Sequence, residues 1–239
     1  MNTQAHSSWA DVYDLAFRRS FGKRYDNLTE QTVGLVSGKV QPPAKILDCG
    51  AGTGRLAVPL AERGYKVTAV EPCREMLEQL AMKDTNGQIT AICSKIEDLE
   101  EEGSYDLALC VFTVISYLLD DQALERSLAA IFNALKPGGR LIIDIPSSVL
   151  FRGYSKKEDT FGREVTVSPI ADNIYTYKEE LMVKSENGDI AHYEDEFHIR
   201  HWSEEHVIQA LVVTGFEKVE NLSAGFAGTG SSYYEFQKA

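Results

Sequence analysis

Long hydrophobic runs are absent from this sequence. None could cross a bilayer, and the N-terminal region has no apolar core of the secretory-signal kind. A membrane partner is therefore not expected, and a cytoplasmic location is. Positive charge is also scarce. With 24 Lys and Arg against 36 Asp and Glu the formal net charge is −12, whereas gripping a phosphate backbone takes clustered cations. Nucleic acid is accordingly not an expected partner, and the local basic group Arg18, Arg19, Lys23 and Arg24 reads as a solvated helix face. The cysteines, Cys49, Cys73, Cys93 and Cys110, show no metal-ligand spacing and fall in or beside apolar, strand-like segments. They read as small buried side chains in a reducing compartment, and no metal is expected. Internal repeats and low-complexity tracts are missing as well.

What remains is ordinary material for a globular protein. A chain of 239 residues, 44% hydrophobic and 25% charged, fits one large α/β domain or one domain with an insertion, as a monomer or homodimer. Residues 8–38 are amphipathic, with Tyr13, Phe17, Phe21 and Tyr25 recurring every four positions, as in a helix pair docking aromatics on a core. Gln41-Pro42-Pro43 breaks that pattern. Strand-like segments then end at Leu47 and cover Tyr65–Val70, Gln88–Cys93, Tyr105–Phe112 and Leu141–Ile145, with helical spacing between most of them. Asp121 is the expected cap of a helix carrying Leu124, Leu128, Ile131, Phe132 and Leu135, and Lys136-Pro137-Gly138-Gly139 its expected stop. Such alternation predicts a doubly wound, mostly parallel sheet that binds ligands beyond the carboxyl ends of its strands.

From about Val149 the period changes. Residues 163–202 contain no helical pattern but alternate, as in Glu164-Val165-Thr166-Val167, and Glu186-Asn187-Gly188-Asp189 is a turn signal between two such runs. An antiparallel insertion over an edge or mouth of the sheet is expected there. Ser203 then caps a helix that Gly215 stops, and Phe216–Leu222 with Tyr233–Phe236 form a closing strand pair. The expected organisation is N-terminal helices and core over 1–148, an insertion or cap over 149–202, and the last helix and hairpin over 203–239.

The chemistry centres on Ile46–Gly64, a strand end, the turn Asp48-Cys49-Gly50-Ala51-Gly52-Thr53-Gly54, and a helix carrying Leu56, Leu60 and Ala61. Alternate glycines let main chain approach a ligand where a Cβ would clash, and the helix start offers free N–H groups. In the dinucleotide fingerprint G-x-G-x-x-G, a third glycine permits close packing. Read from Gly50, that place holds Arg55. With Asp48 at the strand end, the turn resembles the D-x-G-x-G-x-G first motif of class I S-adenosylmethionine-dependent methyltransferases. Glu71, ending the second strand, can accept from both hydroxyls of a ribose, which suits a methyl donor or NAD alike. Met76, a turn later, can pack on an adenine or into the helical core.

Further residues match one branch of that family. Tyr13-Asp14, Tyr25, Phe112-Thr113-Val114-Ile115-Ser116-Tyr117, Lys136-Pro137-Gly138-Gly139 and His198-Ile199-Arg200 ahead of Ser203 are similar, in order, to sugar-amine N-methyltransferases and glycine N-methyltransferase-like proteins. The resemblance is strong in the cofactor half and loose in the insertion. It implies a seven-stranded class I fold, S-adenosyl-L-methionine as donor with S-adenosyl-L-homocysteine as product, and a small-molecule acceptor, an amine before a hydroxyl. It further implies donor contacts at Tyr13, Tyr25, Asp48, Gly50, Ala51, Gly52, Glu71, Pro72, Met76, Ile96, Glu97 and Phe112, with Tyr117 on the acceptor side. Lys95 stands where many relatives carry an acid for the adenine amino group, so Glu97 or Asp98 would replace it. The Pro-Pro-aromatic tetrapeptide of nucleic-acid amino methyltransferases is absent after the fourth strand. The Pro-Cys nucleophile of C5-cytosine enzymes is absent there too.

In the insertion, strand alternation sets Asp195, Phe197 and Ile199 on one side and Glu196, His198, Arg200 and Trp202 on the other. If the second side faces the mouth, His198 can serve as a general base and Arg200 can hold a substrate anion, with Trp202 beside them. If it faces water, it is a charged solvated surface. Tyr13 is a second candidate at the reacting centre. The rival functions are a NAD-dependent oxidoreductase, a non-catalytic cofactor-binding protein, and an aminocarboxypropyl transferase using the same donor.

Overall fold

Strands joined through helices bury both faces of a sheet, and the computed structural model, which describes residues 4–239, has that arrangement. The N-terminal aromatic segment forms a 3₁₀ turn over Ser7–Val12, then α1 (Tyr13–Phe21) and α2 (Lys23–Lys39). Gly22, at φ 57°, separates the two helices. The chain then runs β1 (Lys45–Cys49), α3 (Ala57–Glu62), β2 (Lys66–Val70), α4 (Arg74–Lys83), β3 (Ile89–Ile92), β4 (Tyr105–Cys110), α5 (Asp121–Ala134) and β5 (Leu135–Pro146). After an insertion come α6 (Glu204–Thr214), β10 (Phe216–Asn221) and β11 (Ser231–Lys238).

The main sheet has seven strands in the order β10-β11-β5-β4-β1-β2-β3, with β11 antiparallel to both neighbours. This is the doubly wound, mostly parallel seven-stranded sheet expected from the sequence. Strands β1 and β4 lie side by side at the centre. From them the chain winds outward in opposite directions, which opens a crevice at their carboxyl ends. Ile46, Leu47, Leu107, Leu109 and Ile142 have no solvent exposure. The apolar stripe of α5, Leu124, Leu128 and Ile131, packs on one face, while α3 covers the other with Leu60 and Ala61.

The insertion is a separate antiparallel sheet of β6 (Tyr154–Glu158), β7 (Phe161–Ala171), β8 (Ile174–Lys184) and β9 (Ile190–Arg200). The pairing of β8 and β9 is unbroken from Ile174↔Arg200 to Lys184↔Ile190, and Ser185–Asp189 makes the expected turn. This sheet lies over the mouth of the crevice, and the N-terminal aromatics fill the space between. Trp9, Phe17 and Tyr25 pack with Phe161 and Leu181 in a cluster of their own. At its edge Arg163 Nε donates to Glu179 Oε1 at 2.5 Å, an ion pair with side chains 2% and 0% exposed.

Two local expectations need correction. The cap of α5 is Asp120, whose carboxylate accepts from Ala123 N at 2.7 Å; Asp121 is the first helical residue. The helix also ends before Lys136-Pro137-Gly138-Gly139, which belongs to β5, where its pairing with β4 shifts register. Gly139 there packs so closely that a Cβ would sit 2.8 Å from Lys136 O, so the glycine pair serves a strand irregularity and not a helix stop. Ser203 and Gly215 do cap and end α6, the latter at φ 112°.

The tightest packing between turn and helix is at Gly54, with φ +84° and room for no Cβ, which would meet Leu80 Cγ at 2.8 Å. Gly54→Ala combines a left-handed alanine with an overpacked core and is expected to cost about 2–4 kcal/mol of stability. Urea unfolding checks this through a lowered midpoint at unchanged slope.

Candidate functional site

The crevice beyond β1 and β4 holds a cavity of about 410 Å³. Its floor is the glycine turn, with Gly50 and Gly52 at φ 69° and 54°. Gly50 N and Ala51 N both donate to Val70 O, at 2.8 and 3.1 Å. One residue on, Glu71 Oε2 accepts from Gly52 N at 2.9 Å and Glu71 Oε1 from Cys73 N at 2.9 Å. These amides aim the Glu71 carboxylate, which keeps lone pairs for a ligand. Space differs sharply along the turn. A Cβ on Gly50 would strike Val114 at 2.6 Å, while one on Gly52 would meet nothing within 4 Å. The room over Gly52 is therefore available to a ligand.

Two buried acids flank this floor. Asp48 is 4% exposed, and its Oδ2 has no hydrogen-bond partner among the described residues. Burial above all raises its pKa to about 7, with Glu71 adding to the rise and Arg55 opposing it. Asp144, at the end of β5, is raised to about 6, again chiefly by burial. It accepts from Thr113 N at 3.0 Å. That bond supports an unusual backbone, since Phe112 and Thr113 adopt φ 73° and 67° in succession, without being glycine. Such residues persist only where their surroundings hold them, and they concentrate at functional sites. Here they turn the Phe112 ring into the cavity.

The roof is aromatic. Tyr13, Tyr25 and Phe112 line it, and Arg55 stacks its guanidinium 4.5 Å from the Phe112 ring centre and 5.7 Å from that of Tyr25. Arg55, which breaks the dinucleotide pattern, thus has a structural partner. Asp14 ties the roof to the floor. Its Oδ1 accepts from Thr53 Oγ1 at 2.9 Å and Tyr25 Oη at 3.3 Å, and its Oδ2 from Lys83 Nζ at 2.5 Å. Burial pushes the Tyr13, Tyr25 and Tyr117 phenols well above their usual range, so all three stay protonated.

Residues 46–139 match the family profile described as a methyltransferase domain. Over that stretch, from β1 into β5, the chain is similar to a methyltransferase domain. A putative methyltransferase of Geobacillus sp. is 33% identical over 110 residues, 45% of this chain and 44% of the relative. A ubiquinone biosynthesis O-methyltransferase of Rickettsia akari is 35% identical over 101 residues, 41% of this chain and 39% of the relative. A glycine/sarcosine/dimethylglycine N-methyltransferase of Actinopolyspora halophila is 26% identical over 189 residues, 74% of this chain and 32% of the relative. The chain thus spans about half or less of the length of these relatives. Among solved structures, an S-adenosylmethionine-dependent methyltransferase from Clostridium acetobutylicum superposes with a TM-score of 0.81 at 19% identity, covering 98% of this chain and 99% of that one. The sugar N-methyltransferase of Streptoalloteichus sp. gives 0.75 at 23% identity, covering 95% and 92%.

The cavity brings together Tyr13, Tyr25, Asp48, Gly50, Ala51, Gly52, Glu71, Pro72, Met76, Ile96, Glu97, Phe112 and Tyr117. Lys95 lines it as well, its Nζ 3.3 Å from Glu97 Oε1. The insertion residues fall elsewhere. On β9 the inward side is Asp195, Phe197 and Ile199, so His198 is exposed on the outer face and does not line the cavity. Arg200 bonds Leu119 O and Asp121 and lies 3.7 Å over the Trp202 ring. Trp202 itself is 3% exposed and donates to Ile115 O and Leu118 O, a core side chain. His6, Arg55, Thr53 and the buried Asp144 belong to the site or its support without having been singled out for it. Only Arg55 carried a sequence signal, as the residue that did not fit. Among the described residues no acidic, His or Cys cluster could hold a metal ion, and no helix is long and apolar enough to cross a membrane.

Gly52→Ala places its Cβ in the ligand's space without a protein clash. It is expected to lower stability by about 1–2 kcal/mol, measured by thermal melting, and to abolish binding of any ligand that rests on this floor, measured by calorimetry with S-adenosylhomocysteine as the probe. A second expectation concerns pH. Asp48 holds its proton in the folded chain up to about 7 but releases it near 3.9 when unfolded. The folded state then binds more protons between those values, so stability falls as pH rises through that window. Asp48→Asn removes this slope and is expected to raise the ligand-free melting temperature at pH 7 but not at pH 4.

Proposed function

We propose that the chain is an S-adenosylmethionine-dependent methyltransferase acting on a small-molecule amine. The observation that carries the reading is the cavity floor, where a carboxylate aimed by two amides faces open main chain at Gly52, one strand away. Glu71 would accept from the ribose hydroxyls, and the unpaired Asp48 Oδ2 would meet the cationic amino group of the donor's methionine part. Ile96 and Glu97, on their 3₁₀ turn, would meet the adenine. The methyltransferase relatives of named function include both O- and N-methyltransferases. The amine is favoured by two carboxylates, Glu179 and Asp195, buried behind the inner end of the cavity.

S-adenosylmethionine supplies an electrophilic methyl group on a sulfonium, so the chain's own residues need only align, desolvate and keep a nucleophile neutral. The aromatic roof of Tyr13, Tyr25 and Phe112 excludes water from the reacting region. The Tyr13 and Tyr117 hydroxyls, held protonated by burial, are available as donors toward an acceptor.

Calorimetric titration with S-adenosylmethionine, S-adenosylhomocysteine and NAD tests the reading, with the two sulfur nucleosides expected to bind and NAD not. Tight NAD binding with no response to either sulfur nucleoside would overturn it. Glu71→Ala is expected to weaken S-adenosylhomocysteine by about 1.5–3 kcal/mol, as befits a lost charged acceptor. An unchanged affinity would remove Glu71 from the site.

A further inference from the structure

The His6 ring sits in a box of aromatic side chains. Trp9, Tyr13, Tyr117 and Phe197 surround it, with centroids 5.0, 5.4, 6.0 and 4.8 Å from its own. Carboxylates close the far side. Glu179 Oε2 lies 3.8 Å from His6 Nδ1, and Asp195 Oδ2 accepts from His6 N at 2.5 Å. Arg163 offsets one of these two charges through its bond to Glu179 Oε1. His6, Tyr13 and Tyr117 also line the large cavity, so the box opens onto it.

An imidazole is a poor occupant of such a place. Burial, then Arg163, lower its pKa to about 3, so it brings no positive charge to the carboxylates. His6 Nδ1 and Glu179 Oε2 are both buried without a hydrogen-bond partner among the described residues, and 3.8 Å is too long to count as one. Among the described residues the ring makes one side-chain hydrogen bond, between Nε2 and Tyr117 Oη at 2.8 Å. His6 also adopts a left-handed backbone, φ 65°, which a non-glycine residue takes at a cost. Aromatic rings beside an unspent carboxylate form the chemistry that retains an ammonium group.

We propose that this box is the subsite for a cationic amine of the acceptor and that His6 is its removable occupant, displaced when the amine enters. The word acceptor rests on the methyltransferase reading; the ammonium preference does not. An entering ammonium donates an N–H to Glu179 Oε2, satisfying the atom that His6 leaves bare. Passing that proton to Glu179 Oε2 breaks the N–H bond, forms an O–H bond and leaves the lone pair on nitrogen, as a methyl acceptor requires.

Tryptophan fluorescence of the donor-free protein, to which Trp9 in the box and Trp202 in the core both contribute, reports entry through the change at Trp9. Wild type, His6→Ala and His6→Ser are titrated with protonated N,N-dimethylethanolamine and with its uncharged isostere 3-methylbutan-1-ol. The amine is expected to bind both variants about tenfold or more tighter than wild type, with the gain lost when Glu179→Gln is added and the alcohol gaining little. Equal gains for amine and alcohol would mean a generic apolar hole. Unchanged amine affinity would mean His6 holds no ligand's place. Either result overturns the inference, as does a fall in amine affinity, the mark of a histidine that itself grips the acceptor. In wild type, saturating amine is expected to shift the His6 ring resonances toward solvent-exposed positions; resonances that stay put overturn the proposal even if neither variant folds. S-adenosylhomocysteine titrated into the same samples separates the two readings. Binding without amine selectivity refutes this inference alone, and no binding by wild type refutes the methyltransferase reading.

Discussion

Two acceptors on one strand hold the main chain of its neighbour. Val70 O takes the amides of Gly50 and Ala51, and the next residue, Glu71, takes that of Gly52. The left-handed turn that results could not form around side chains, because Gly50 is pressed against Val114 and Gly54 against Leu80. From this contact the rest of the site takes its place. Val114 belongs to the loop after β4, so the turn's position bears on that loop as well. The same loop carries Phe112 and Thr113 in strained conformations that Asp144 helps to hold. Strain of this kind, about 1–3 kcal/mol per residue, persists because the strands beneath it are fully buried on both faces.

Buried polar groups gather around the cavity at a further cost in stability. Asp48, Asp144, Glu179 and Asp195 are all buried, and burial is the largest influence raising the pKa of each. An ion pair such as Arg163 with Glu179 contributes little net stability, since desolvating both charges offsets their attraction. What it does is fix position. The Arg163 guanidinium lies 4.4 Å from the Phe17 ring centre and 5.7 Å from that of Trp9, so the pair also locates the aromatic segment against the insertion. The main sheet supplies the stability, and the mouth of the crevice uses it for polar chemistry.

The crevice between the strand ends was legible because its logic is local. Once strands alternate with helices, the sheet topology brings the ends of β1, β2 and β4 together, so Asp48, Glu71 and Phe112 must meet. The insertion was legible only as alternation. The grouping of Asp195, Phe197 and Ile199 against Glu196, His198 and Arg200 is correct, but the inward side is the first. Both faces of that strand carry charge, and nothing in the pattern says which one will meet His6 and the N-terminal aromatics. Trp202 lies beyond the end of β9, so strand periodicity no longer applied to it. His6 could not be found at all by spacing, since it joins residues more than a hundred positions away.

Asp14 has a bearing on the order of assembly. Its carboxylate grips Thr53 and Lys83, 39 and 69 positions further along the chain. Thr53 lies in the turn after β1 and Lys83 at the end of α4, so both seats exist only once β1, β2 and α4 have come together. The helix that carries Asp14 thus docks on a seat built from residues that follow it in the chain. Contacts this distant in sequence form slowly, which makes α1 a latecomer to the core it covers.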